Sequence, residues 1–338
     1  MKQVAQALFA AAMAFVAADT AVAATLDTVK QRGVLNCGAN GQIPGFGLPD
    51  SQGNWTGLDV DYCRAIAAVI FNDATKVKFV ALTARDRFTS LQTGDVDVLV
   101  RNTTWTSSRD TQLGLNATGI NYYDGQGFMV RKSLKVNSAL ELNDAAICVQ
   151  QGTTTELNLA DYFRANRMRL KSVIFATLDE ALKAYETSRC DAFTTDASGL
   201  YSTRLKLAKA DDHVVLPEII SKEPLGPFVR HGDDQWFDVV KWVHFAMLNA
   251  EELNVNQKNL EEQMKSDNPE IKRLLGTEGN FGEQLGLTKD WVYRIVKLVG
   301  NYGESFERNV GQGSPLKVAR GLNALWNKGG VQYAPPVR

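Results

Sequence analysis

The chain has 338 residues, with 37 basic and 38 acidic side chains and a formal charge of −1, long enough for two domains of ordinary size. Hydrophobic residues at 44% and charged residues at 22% are globular proportions and exclude a fibrous or disordered chain. No basic excess exists to neutralise phosphates, which excludes simple nucleic-acid binding. The three histidines, His213, His231 and His244, are scattered without metal-ligand spacing.

Residues 1–23 read as an export signal. Met1-Lys2 is a minimal basic start, 7–18 is an unbroken apolar stretch, and Ala21-Val22-Ala23 forms a small-residue cleavage site before Ala24. No later stretch approaches the ~20 apolar residues of a membrane span. The mature protein is expected in the periplasm. Removal takes away Lys2 and Asp19 together, so the net charge is unchanged. Export also changes how Cys37, Cys63, Cys148 and Cys190 read, because an even set in an oxidising compartment suits disulfides. Their spacing favours Cys37–Cys63 and Cys148–Cys190 over a zinc site. The sequence alone permits three pairings, and it permits four free buried thiols.

Along the mature chain, strands and helices alternate. A first strand is expected over 33–37, then a Gly- and Pro-rich loop over 41–53. Leu58 to Cys63 leads into a helix patterned by Ala65, Ile66, Val69 and Ile70. A second strand over 77–82, a helix over 85–93 and a buried strand over 97–100 follow. Such alternation predicts mostly parallel sheets covered by helices. Phe88, Leu91, Gly94 and Asp97 recur 94 residues later as Leu182, Tyr185, Ser188 and Asp191, which suggests two similar lobes. The same offset matches Asn102 with Asp196, each just past the carboxyl end of its strand, where open α/β sheets bind ligands. Beyond residue 222 the pattern turns helical, with one apolar stripe from Trp236 to Leu248 and another from Trp291 to Val299. These stripes fit packing on the lobes. The tail from Gly311 is expected to wrap the surface.

The segment from Asn102 to Arg109 carries most of the functional signal. A strand ends and releases Asn102-Thr103-Thr104-Trp105-Thr106-Ser107-Ser108-Arg109, whose amides and hydroxyls are free to meet a ligand. Thr106 or Ser107 suits a helix cap. Arg109 then falls in a first helical turn, where a cation is unfavourable unless an anion binds beside it. In the second half, Gln150-Gln151-Gly152-Thr153-Thr154-Thr155 follows an apolar strand, and Glu156 three residues after Thr153 suggests a capping box. Thr194-Thr195-Asp196 ends the repeated strand with a carboxylate. A cation with amides on one lobe and a carboxylate with hydroxyls on the other suit a zwitterionic α-amino acid.

The stretch Gly57-Leu58-Asp59-Val60-Asp61, the turn from Gly94 to Asp97, Thr104 with Arg109, the Gly152-Thr153-Thr154 loop and Asp191 to Asp196 together resemble periplasmic amino-acid-binding proteins of ABC transporters. The phrases from Arg101 to Thr106 and from Gln151 to Asn158 are similar to the general L-amino-acid-binding subgroup. This resemblance, over about residues 25–260, implies a two-lobed α/β periplasmic-binding-protein fold (type II) that closes by a hinge. The implied division is 24–127 and 223–338 for lobe 1 with a helical C-terminal extension, and 128–222 for lobe 2. Arg109 is implied to hold the ligand carboxylate, helped by the Thr104 and Thr154 backbones, with Thr153 in the same loop. Asp196 is implied to hold the ammonium, with the Asn102 carbonyl and the Thr104 hydroxyl as further acceptors. Many relatives carry an aromatic platform where this chain has Ala84, leaving Trp55 or Trp105 as candidate walls that serve equally well in packing. The implied partners are an L-amino acid and an inner-membrane ABC permease. A monomer without cofactor, metal or catalytic residue is expected. A dehydratase acting on prephenate-like acids and a sensory domain are the competing readings.

Overall fold

The computed structural model describes residues 24–338; the expected export signal lies outside the described residues. Lobe 1 is built on a five-stranded sheet in the spatial order Val77–Ala81, Leu35–Ala39, Val98–Leu99, Phe228–Arg230, Leu115–Ala117. Lobe 2 has the order Lys171–Phe175, Ala146–Gln150, Ala192–Asp196, Gln126–Arg131, His213–Val215. Each sheet begins with three parallel strands and then admits one reversed strand. The reversed strands, Phe228–Arg230 and Gln126–Arg131, are those that follow a passage from the other lobe. This mixed order departs from a purely parallel sheet because the chain returns through a crossover rather than a helix.

The internal repeat is a shared turn. Gly94 and Ser188 both take positive φ, at 84° and 62°. Asp97 then donates its backbone N–H to the Asn36 carbonyl, and Asp191 does the same to the Ala146 carbonyl, at 2.9 and 2.8 Å. Each carboxylate also accepts from a strand N–H, Asp97 from Asn36 and Asp191 from Ala146, at 2.7 and 2.8 Å. The aspartate in each lobe therefore locks a strand start to its neighbour, fixing the register that carries Asn102 and Asp196 to the cleft.

Two antiparallel strands, Tyr122–Asp124 and Glu223–Leu225, connect the lobes. Their flanks approach so closely that a Cβ on Gly226 would lie 1.9 Å from the Gly119 carbonyl oxygen. Any side chain there would push the crossovers apart. The helix Asp234–Glu252 buries Trp236, Val239, Val240, Val243, Met247 and Leu248, each contributing roughly 1.5–3 kcal/mol. The Trp236 indole also donates to the Asp97 carbonyl at 2.9 Å. Trp291, Ile295, Val296 and Val299 are buried as well, so both apolar stripes pack on the protein itself. The C-terminal tail wraps lobe 1 and reaches the first crossover, where the Asn323 side chain exchanges two hydrogen bonds with the Tyr123 backbone.

Cys37 pairs with Cys63, tying the strand Leu35–Ala39 to the helix Leu58–Phe71, and Cys148 pairs with Cys190 inside lobe 2. Each bridge stays within one lobe, so oxidation stiffens the lobes and leaves the hinge free; loops of this length contribute about 3–4 kcal/mol. Peptide mapping of the oxidised protein is expected to recover these two pairs, and ligand binding is expected to survive mild reduction. A bridge from either of the first two cysteines to either of the last two would contradict the lobe assignment.

Candidate functional site

The two lobes meet in a closed cleft. Thr104 of lobe 1 and Thr154 of lobe 2 place their hydroxyls 3.2 Å apart, and Lys206 of lobe 2 donates to the Gln42 carbonyl of lobe 1 at 3.2 Å. Between the lobes lies a small polar cavity of about 30 Å³. Asn102, Thr104, Thr153, Thr154 and Asp196 all line this cavity, joined by Asn40, Arg87, Arg101 and Gln150.

Asp196 ends the strand Ala192–Asp196 and stands at the start of the helix Ala197–Arg204 without capping it through its side chain. Its carboxylate accepts no hydrogen bond from the described residues. Burial, with the Asp124 and Glu223 carboxylates nearby, pushes its pKa well above the usual carboxylate range; Arg87 and Arg109 oppose that shift. Asp124, the last residue of the first crossover strand, is raised to about 6, mainly by burial, although it accepts from the Gly125 N–H and the Ser198 hydroxyl. Lobe 2 thus presents to the cavity a carboxyl whose charged form is disfavoured by burial and by like charges.

Glu223 was not legible in the sequence as a site residue. It is fully buried on the second crossover strand. Its Oε2 accepts from the Thr104 and Thr154 hydroxyls at 2.6 and 2.9 Å, and its Oε1 from Asn158 and Ser221 at 2.7 and 2.8 Å. One hinge carboxylate thereby collects hydroxyls from both lobes in the closed form.

The cationic side holds three buried arginines rather than one. Arg109 lies in the short helix Ser107–Gln112, capped by the Thr106 hydroxyl, which accepts from the Arg109 N–H. Its guanidinium donates to the Thr104 carbonyl at 2.9 Å, and it stands behind Thr104 rather than on the cavity wall. Burial lowers its pKa to about 10, against the pull of Glu223 and Asp196. Arg87 and Arg101, outside the ligand set expected from the sequence, face the cavity directly. Arg101 donates to the Leu82 carbonyl at 2.8 Å; burial and Arg109 lower its pKa to about 10. Among the described residues Arg87 makes only two long contacts, 3.5 Å to the Asn102 carbonyl and 3.5 Å to the Thr103 hydroxyl, and its buried Nε has no partner there. Burial and the like charges of Arg109 and Arg101 depress its pKa. The Phe88 ring steadies this pair of cations, with the Arg87 and Arg109 guanidiniums 4.9 and 5.0 Å from its centroid.

Thr153 serves the helix more than the cavity. Its hydroxyl accepts from the Glu156 N–H and donates to the Gln150 carbonyl. Glu156 does not return the capping-box bond; its carboxylate turns instead to the Gly152 N–H at 2.9 Å, one residue before the cap. Neither candidate wall reaches the site. Trp55 stacks on Phe79 at 5.2 Å on the outer edge of lobe 1, because the short strand Trp55–Thr56 runs there, and Trp105 is 38% exposed, with its backbone N–H bonded to the Pro224 carbonyl. Ile43 and Leu178 supply the apolar lining.

Known proteins share this architecture along nearly the whole chain. The general L-amino acid-binding periplasmic protein AapJ of Rhizobium johnstonii is 60% identical over 334 residues, covering 98% of each chain. The glutamate/glutamine/aspartate/asparagine-binding protein BztA of Rhodobacter capsulatus is 54% identical over 328 residues, covering 97% of each. A solved ABC transporter periplasmic binding protein from Brucella ovis with glutathione bound superposes with a TM-score of 0.92 at 63% identity, covering 94% of this chain and all of that one. Residues 35–272 match the bacterial extracellular solute-binding proteins of family 3, and the chain belongs to that family.

Proposed function

We propose that this protein captures L-amino acids in the cleft between its lobes and delivers them to an ABC permease of the inner membrane, acting in the periplasm as an exported monomer and not as an enzyme. The observation that carries this reading is the opposition of Asp196, which accepts no hydrogen bond from the described residues, to buried arginines across a polar cleft. An α-ammonium meets the first and an α-carboxylate the second, and only a ligand with both charges relieves both burdens. Asp196 is taken up by the ammonium, which leaves the prephenate-type chemistry without a positioned acid or base. The names of the relatives, a general L-amino-acid binder and a binder of acidic amino acids and their amides, support the same class.

The three guanidiniums exceed what one α-carboxylate uses. We assign Arg109 with the Thr104 backbone to the shared carboxylate, which it meets once the ligand displaces its bond to the Thr104 carbonyl, and Arg87 to a second anionic or carbonyl end of the ligand. The small apolar lining leaves the rest of the side chain loosely specified. Calorimetric titration against a panel of L-amino acids is expected to show several polar members binding at roughly micromolar Kd, about −8 kcal/mol. Failure of every amino acid at millimolar concentration would remove the reading.

A further inference from the structure

Asp59 belongs to the motif from Gly57 to Asp61, yet it does not itself line the cleft cavity. It lies in the first turn of the helix Leu58–Phe71, only 3% exposed. A carboxylate there suits the helix dipole, but both of its oxygens point to other elements. Oδ2 accepts the Asn102 backbone N–H at 3.0 Å, and Oδ1 accepts the Asn121 side-chain amide at 3.1 Å. The first partner belongs to the cleft and the second to the hinge.

Each partner is itself constrained. Asn102 sits at φ 41°, a left-handed conformation that asparagine adopts more readily than most residues other than glycine. It lines the cavity, and its side-chain Oδ1 is buried without a partner. Asn121 directly precedes the crossover strand Tyr122–Asp124. Its N–H donates to the Leu225 carbonyl of the other crossover at 2.9 Å. Its carbonyl accepts the Tyr302 hydroxyl at 2.8 Å. Tyr302 lies beyond residues 35–272, in the C-terminal extension.

We propose that Asp59 is a positioning residue of the ligand site, holding Asn102 in its left-handed turn so that its oxygens face the ligand and fixing that turn to Asn121 at the root of the hinge. The Tyr302 hydroxyl completes the chain by holding Asn121 from the extension side. Cleft floor and hinge root then keep one geometry as lobe 2 moves. This inference rests on the amino-acid reading for the ligand, but not for the positioning itself.

The test is a swap in the mature full-length protein. Asp59→Asn leaves one acceptor oxygen for two donors. Asn121→Asp sets two carboxylates face to face. The double variant restores every bond, with the Asn102 N–H donating to the new amide oxygen at position 59 and that amide donating to the carboxylate at 121. Amide hydrogen exchange of the ligand-free proteins is expected to show Asn102 protected in the wild type, deprotected at least tenfold in Asp59→Asn, and protected again in the double variant. Calorimetry with L-glutamine is expected to follow the same order, with a tenfold or greater rise in Kd for Asp59→Asn and recovery to within threefold in the swap. A purely structural role would lower melting temperature in both single variants without this recovery. The inference is overturned if Asp59→Asn keeps wild-type protection at Asn102, or if the swap is no better than the single variant. Should Asp59→Asn fail to fold, Tyr302→Phe reads the same chain from its far end: unchanged protection at Asn121 and Asn102 overturns it, and loss at both supports it. Wild-type protein that protects Asn102 yet binds no L-glutamine would count against the ligand reading and leave the exchange result standing.

Discussion

Asp196→Asn is expected to bind L-amino acids at least ~30-fold more weakly than the wild type and, without ligand, to melt at a higher temperature near neutral pH. The first half follows from pairing. Removing the carboxylate leaves a desolvated α-ammonium without its counter-charge, a penalty of roughly 2–5 kcal/mol, and 1.4 kcal/mol is tenfold in Kd. The second half follows from linkage. Burial beside Asp124 and Glu223 raises the Asp196 pKa, so the folded state holds this proton more tightly than the unfolded chain. Stability then falls as pH rises from the ordinary carboxyl range through the raised native value, and an amide is spared that loss. The gap between variant and wild type should close below about pH 4, where an unfolded aspartate is itself protonated. Melts across pH, beside calorimetry at pH 7, check both halves. A variant that binds normally while folded would remove Asp196 from the ammonium role.

Arg87→Leu should separate two ligands of nearly equal shape. Arg87 is 2% exposed, lines the cavity and has an unpartnered Nε, whereas Arg109 is engaged with the Thr104 carbonyl behind it. If Arg87 meets a second carboxylate, its loss strands that charge in a dry cleft and L-glutamate weakens by ~30-fold or more, within the same 2–5 kcal/mol range. L-glutamine, with an uncharged end, should change by no more than about threefold. Arg109→Ala should weaken both alike, and Arg109→Lys should not restore them, since an ammonium lacks the guanidinium fork. Calorimetry with the two ligands reads the outcome. Equal losses in Arg87→Leu would assign Arg87 to the shared carboxylate instead.

The lobes were legible in sequence because they obey one local rule twice. A helix ending at Gly94 or Ser188, followed by Asp97 or Asp191, needs a positive φ and a carboxylate that caps the neighbouring strand; both demands show in residue type. The cleft residues Asn102, Thr104, Thr154 and Asp196 were legible for the same reason, as polar runs at strand ends. Arg87 was hidden by its position. It falls one turn before Leu91 on the buried face of the helix Arg87–Gln92, and an arginine where an apolar residue belongs was the signal available. Glu223 was hidden by topology, since the strand Glu223–Leu225 is short, contains a proline and resembles a surface loop. Only its pairing with Tyr122–Asp124 brings it beneath both threonines. Trp55 takes the packing reading of the two the sequence left open, because an aromatic near the cleft loop in sequence packs on Phe79 at the sheet edge in space.

The place of Phe228–Arg230 in the first sheet bears on the order of assembly. Every strand of the second sheet comes from one uninterrupted stretch, from Gln126 to Val215, so that lobe can complete itself through contacts of short sequence separation. The first sheet cannot. Its strand Leu115–Ala117 reaches Val98–Leu99 only through Phe228–Arg230, which arrives more than a hundred residues later. Until then the edge of Val98–Leu99 stands open, and an open edge invites pairing with another chain. Loop closure across the intervening lobe must precede the contacts that reward it. The lobe synthesised in the middle is thus the one able to finish first, and its compact form shortens the span that the two halves of its neighbour must bridge.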